Sequence, residues 1–160
     1  MKILNYPDKA LQTKCEPVTV FGEELKTILD GMWDTMKENK GVGLAANQVG
    51  ILRNMFVMAV GDTRVNLVNP QIVWSSETPA MLREGCLSAP GEFLVVFDRA
   101  DSVIVEFQNH HGDSLRRRFE GLHAVCVQHE IEHLQGLNFM ESKSLSNKTK
   151  KHLAKKWGMK

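Results

Sequence analysis

Cysteine is scarce in this sequence. Cys15, Cys86 and Cys126 are an odd number at wide spacing, so no disulfide framework is expected. Each thiol is then a core residue, a reactive group or a metal ligand. Long apolar runs are missing too. None approaches the roughly 20 residues that cross a bilayer, so no membrane partner is expected. Neither sign of charge dominates: 20 Lys and Arg stand against 19 Asp and Glu, a formal net charge of +1. That supplies no overall field for DNA or an anionic membrane. The opening Met1-Lys2-Ile3-Leu4 lacks the apolar stretch of a secretory signal and the Arg- and Ser-rich pattern of a transit peptide, so a cytoplasmic location is expected. There is no internal repeat and no low-complexity linker.

What remains fits one domain with one core: 160 residues, 42% hydrophobic and 24% charged. Residues 23 to 39 read as an amphipathic helix. Leu25, Ile28, Leu29, Met32, Trp33 and Met36 recur at helical spacing, with Gly22 at its start and Gly41 at its end. Strand signals follow at Met55–Val60, at Val65–Val68 ending on Asn69-Pro70, and at Phe93–Phe97. Ser102–Phe107 and Ser114–Phe119 flank His110-His111-Gly112-Asp113, which reads as a hairpin turn. A second helix is expected over 122 to 135, stopped by Gly136, and a short basic helix or frayed tail from about Lys148 to Trp157. Helices bracketing a block of strands indicate α+β: a central helix on antiparallel or mixed sheets, with an amphipathic helix before it and a short one after. Residues 1 to 146 form the expected catalytic domain and 147 to 160 the basic tail.

The second helix carries His129-Glu130-Ile131-Glu132-His133. Residues four apart lie about 40° from each other on a helix, one turn along the same face, so both imidazoles can converge on one ion. Glu130 falls to one flank, placed to act as base on a water held by that ion rather than as a ligand. Leu122, Val125 and Cys126 share the stripe of His129 and His133. They are either plain core or the wall of a pocket for an unbranched apolar side chain.

Catalytic zinc-type sites have three protein ligands and one open position. Downstream, His152 sits among lysines and Glu141 follows the helix too closely. Cys86, in Glu84-Gly85-Cys86-Leu87-Ser88, is the better third ligand: a soft thiolate in a segment bounded by Gly85 and Pro90. Gly41-Val42-Gly43-Leu44-Ala45-Ala46-Asn47-Gln48 superficially matches a dinucleotide fingerprint. That fingerprint must follow a strand and open a helix, and this segment follows a helix. Its glycines instead suit close approach of backbone to a ligand, with Gln48 as an amide donor facing it.

Taken in order, these three segments resemble the motifs of the peptide deformylase family: G-x-G-x-A-A-x-Q at Gly41–Gln48, E-G-C-x-S at Glu84–Ser88, and H-E-x-D-H at His129–His133. Ile3–Asp8 and Val68-Asn69-Pro70 add to the likeness, which covers roughly residues 1 to 140. The resemblance implies that Cys86, His129 and His133 hold a divalent metal, usually Fe(II) and often replaceable by Ni(II), Co(II) or Zn(II). It implies that Glu130 shuttles the proton, and that the Gln48 side chain and the Leu87 backbone N–H steady the oxyanion. Val42, Gly43, Glu84, Gly85, Leu122, Val125 and Cys126 would line the groove for N-formylmethionyl peptides. The substrate's source implies the ribosome as a partner, through Lys148, Lys150, Lys151, Lys155 and Lys156. Two positions depart from the pattern. Glu132 replaces the family's usual Asp, with Arg99 as a candidate partner, and Phe93 stands near where some relatives carry Arg. The alternatives are a Cys/His/His metallopeptidase acting on unformylated peptides and a structural metal site in a binding protein.

Overall fold

A central strand of four consecutive buried residues organises the molecule. In the computed structural model, which describes residues 1–159, Met55–Phe56–Val57–Met58 lie on an interior strand, second from the edge, of a five-stranded antiparallel sheet. Side chains alternate across a strand, and here both faces are covered. Phe56 and Met58 pack with Leu67, Val103, Val105, Cys126 and Val127 on one face. Met55 and Val57 pack with Leu25, Leu29, Met32 and Met36 on the other. A strand sandwiched in this way reads as an unbroken apolar run.

In chain order the strands are β1 (Gly43–Ala45), β2 (Met55–Val60), β3 (Thr63–Ser75), β4 (Arg83–Cys86), β5 (Ala89–Val95), β6 (Ser102–Gln108) and β7 (Ser114–Glu120). The large sheet runs β1-β2-β3-β6-β7, and β4 and β5 form a separate two-stranded hairpin. Helix α1 (Glu23–Glu38) contributes the second of those core faces and α2 (Gly121–Leu134) the first. Helix α3 (Asn147–Trp157) seats Leu153 in a third cluster with Tyr6, Leu11, Ala89, Phe139 and Met140. The fold is therefore α+β, as expected.

Local chemistry sets the boundaries, and some differ from expectation. Helix α1 does start after Gly22, but the left-handed residue at its end is Lys40 (φ 57), not Gly41. Lys40 N–H donates to Lys37 O and Gly41 N–H to Met36 O, the paired bonds of a Schellman end. Strand β3 does not stop at Asn69-Pro70. It shifts register there and continues against β6. Asn69 holds the irregularity (φ 50) by exchanging hydrogen bonds with Val18 N and O and donating to Gln108 Oε1. β5 starts and ends earlier than the expected 93–97. The β6–β7 hairpin forms in the expected place, its turn held by Asn109 accepting from His111 N and Asp113 N. Gly136 follows α2 with φ 74, where a Cβ would lie 2.8 Å from Gln12 O. That position needs glycine on both counts.

Candidate metal centre

Three elements deliver the site. Helix α2 presents His129 and His133 one turn apart, β4 ends on Cys86, and the short helical turn after β1 carries Gln48. His133 Nε2 lies 3.2 Å from both Cys86 Sγ and His129 Nε2. The three ligand atoms all fall within 4.8 Å of one another.

The donor set fits a metal ion. A tetrahedral ion with bonds of about 2.0–2.3 Å has ligand–ligand edges of roughly 3.3–3.8 Å, close to the separations here. The imidazole orientations agree. His129 Nδ1 is 2.8 Å from Glu84 Oε2, so that nitrogen carries the proton and Nε2 turns its lone pair toward Cys86 and His133. His133 Nδ1 is 3.4 Å from Tyr6 Oη. Burial, then the negative groups nearby, push the Tyr6 phenol well above its usual range, so it stays protonated. Among the described residues the cluster has three donors, which leaves one position for a small molecule.

Glu84 is itself anchored. Its carboxylate accepts from Arg99 Nε at 2.8 Å, and Arg99 Nη1 reaches Glu132 Oε1 at 2.6 Å. Burial alone would raise the Glu84 carboxyl, but the hydrogen bonds from His129 and Arg99 outweigh it and hold the group ionised. The result is a continuous chain, Glu132–Arg99–Glu84–His129, ending at the cluster. Arg99 is only 4% exposed, so its charge depends on those two carboxylates.

Beside the cluster a cavity of about 400 Å³ is lined by Gly41, Val42 and Gly43 from the β1 segment, Arg83 to Cys86 from β4, Leu87 from the turn after it, and Leu122, Val125, Cys126, His129 and Glu130 from α2. Every residue expected at the site lines this cavity except His133, which is 1% exposed and sits behind it. The expected apolar wall is graded. Cys126 and Val125 are buried while Leu122 is half exposed at the rim. Gly43 permits the closest approach, since a Cβ there would collide with Glu130 Oε1 and lie 2.7 Å from Cys126 Sγ.

Glu130 is buried, and its Oε2 has no hydrogen-bond partner among the described residues. Burial raises its carboxyl to about 7, the range in which a carboxylate can both take up and release a proton near neutrality. Gln48 accepts from Ala45 N through Oε1 at 2.8 Å, which points its amide nitrogen at Ser88 Oγ (3.1 Å) and Cys86 Sγ (3.6 Å).

Sequence reasoning missed Tyr6, Asn47, Ser88, Arg83 and Lys40 as parts of this region. Asn47 donates to the backbone oxygen of His133 and so ties the Gly-rich segment to α2. The forewarnings were the position of Asn47 and Ser88 inside two of the motifs and of Tyr6 inside the Ile3–Asp8 segment.

The polypeptide deformylase family model matches residues 1–150. The chain is 42% identical to the peptide deformylase of Chromobacterium violaceum, over 88% of this chain and 85% of the relative. Among solved structures it is similar to a peptide deformylase from Thermotoga maritima, with TM-score 0.87 and 38% identity over 90% of this chain and 97% of the other. A peptide deformylase from Synechococcus elongatus in complex with actinonin superposes with TM-score 0.90 and 31% identity, covering 99% and 86%.

Proposed function

The chain belongs to the polypeptide deformylase family, and from that premise we propose that Cys86, His129 and His133 hold the metal of its hydrolytic centre, Fe(II) for preference. It is a metal-dependent hydrolase that removes the formyl group from newly made polypeptides. The observation that carries the site assignment is the convergence of one thiol and two Nε2 atoms beside a buried carboxylate. Nickel, cobalt and zinc suit the same thiolate and imidazole donors, so they are expected substitutes.

An ion held there supplies a water acidic enough to lose its proton near neutral pH. The remaining work belongs to the chain. The cavity takes the methionine side chain against Val125, Cys126 and the rim of Leu122, which brings the formamide to Cys86. Glu130 takes the proton of the attacking water and passes it to the amine nitrogen as the C–N bond breaks and formate leaves. Gln48 Nε2 and the Leu87 N–H donate to the oxygen that becomes negative. Glu84, through His129, keeps one ligand in its orientation.

The formyl group is too small to carry much selectivity, so the Met pocket provides it. Among the described residues no helix is long and apolar enough to cross a membrane. We further propose a cytoplasmic protein that meets its substrates at the ribosome, with residues 1 to 146 as the catalytic unit and α3 as the basic contact.

The test is formate release from formyl-Met-Ala by anaerobically purified protein, run beside metal analysis of Cys86→Ala and Cys126→Ala. Loss of the ion and of formate release in Cys86→Ala, with the ion retained in Cys126→Ala, supports the assignment. The reverse pattern overturns it.

A further inference from the structure

The rim of the groove carries charge of one sign. Of the charged side chains that line it, Glu84 is held by Arg99 and His129, and Glu130 is buried. The other two are cations from different segments, Lys40 from the link between α1 and β1, and Arg83 from β4. Both are exposed, and among the described residues no carboxylate lies within ion-pair distance of either.

Arg83 is also braced. Phe93 pairs with Gly85 across the β4–β5 hairpin, and its ring lies where a Gly85 Cβ would come within 2.8 Å of it. Arg83 and Gly85 share one face of β4, and the Arg83 guanidinium sits 5.0 Å from the centroid of that ring. Stacking on an aromatic holds the planar cation in place while leaving its N–H edge for a carboxylate.

Position along the strand gives the reach. Arg83 stands three residues before Cys86, about 10 Å along an extended chain. A substrate whose formyl group lies at Cys86 has its second or third residue at that distance. Resting on the deformylase reading of the site, we propose that Arg83, with Lys40 as a second cation, makes this enzyme select formyl-methionyl chains with an acidic side chain two or three residues from the start. A nascent chain has no free C-terminal carboxylate, so the acidic group is a side chain.

The test uses C-terminally amidated formyl-Met-Ala-Xaa peptides, with Xaa as Glu, Gln or Lys, and the metal-loaded full chain. The parent enzyme gives kcat/KM in the order Glu, Gln, Lys, each step about two- to fivefold, as one exposed ion pair produces. The spread lies in KM and shrinks at about 0.5 M salt. Arg83→Gln flattens the series, Arg83→Glu inverts it, and Lys40→Gln narrows it. A Glu-to-Lys ratio in Arg83→Glu equal to that of the parent overturns the proposal. A common rate for all three peptides in the parent also overturns it while leaving the deformylase reading intact. Formate release from none of them overturns that reading instead.

Discussion

Glu84 Oε2 lies 2.8 Å from His129 Nδ1, so one of the three clustered donors is aimed by a carboxylate that Arg99 in turn holds in place. A ligand oriented in this way binds its ion more tightly than a free imidazole, because the ring arrives already turned and more basic. Glu84→Gln keeps the shape but loses the charge. Its affinity for the ion is expected to fall about 10- to 100-fold, measured by competition with a chelator. The parent affinity in that variant would show that His129 is placed by packing alone.

Glu130 links burial to pH. Its carboxyl sits at about 7 in the fold against an ordinary 4.5, because burial disfavours the charged form. The unfolded chain therefore ionises this group first. As pH rises from about 4.5 to 7 the fold is progressively penalised, and above 7 the penalty is constant. Metal-free protein should lose up to about 3 kcal/mol across that window relative to Glu130→Gln. Urea unfolding at pH 5 and pH 8 with chelator present measures it, and a gap independent of pH would refute it. With metal loaded, Glu130→Gln should keep the ion and lose turnover by at least about 100-fold.

Helices α1 and α2, strand β2 and the β6–β7 hairpin were legible in the sequence because their signals are local: helical spacing, a run of apolar residues, a turn of four. The clustering of Cys86, His129 and His133 was legible for a similar reason, since the i, i+4 histidines and the Gly-bounded cysteine each declare themselves within five residues. Other features depend on distant partners. β1 is three residues long, and β4 holds Gly85 and almost no apolar side chain, so neither has a periodicity to read. β3 runs on past Pro70 only because Asn69 finds Val18 and Gln108, 51 and 39 positions away. Tyr6 reaches His133 across 127 positions.

Glu132, where the family pattern has Asp, is the outer end of the chain that reaches His129. It forms a two-pronged pair with Arg99, at 2.6 Å from Nη1 and 2.8 Å from Nη2. Removing it would leave a buried guanidinium with Glu84 as its only carboxylate, and losing one partner of a buried cation is costlier than losing a surface pair. Glu132→Ala should therefore lower the melting temperature by several degrees and weaken metal retention, while Glu132→Asp, one methylene shorter, should do less of both. If Glu132→Ala matches the parent in melting temperature and metal content, the pair contributes nothing to the site.

Helix α3 has a structural role beside the docking role proposed for it, and the two require different variants. Leu153 is buried with Tyr6, Phe139 and Met140, Trp157 packs against the same cluster, and Lys156 pairs with Glu92. Tyr6 is the residue whose hydroxyl approaches His133. Deleting residues 147 to 160 would therefore uncover a hydrophobic cluster that borders the candidate metal centre. A loss of ribosome binding in that deletion could come from instability alone. Lys148, Lys151 and Lys155 are exposed, and the salt bridges of the described residues do not involve them. Changing these three to Gln removes charge and leaves the buried face intact. If they bind ribosomal RNA, association measured by sedimentation should weaken, and the slope of log affinity against log salt should fall by about 0.7–0.9 for each phosphate no longer neutralised. Melting temperature and turnover of formyl-Met-Ala should stay at parent levels in the same preparation. An unchanged salt slope in the triple variant would leave α3 as a cap on the third cluster and nothing more.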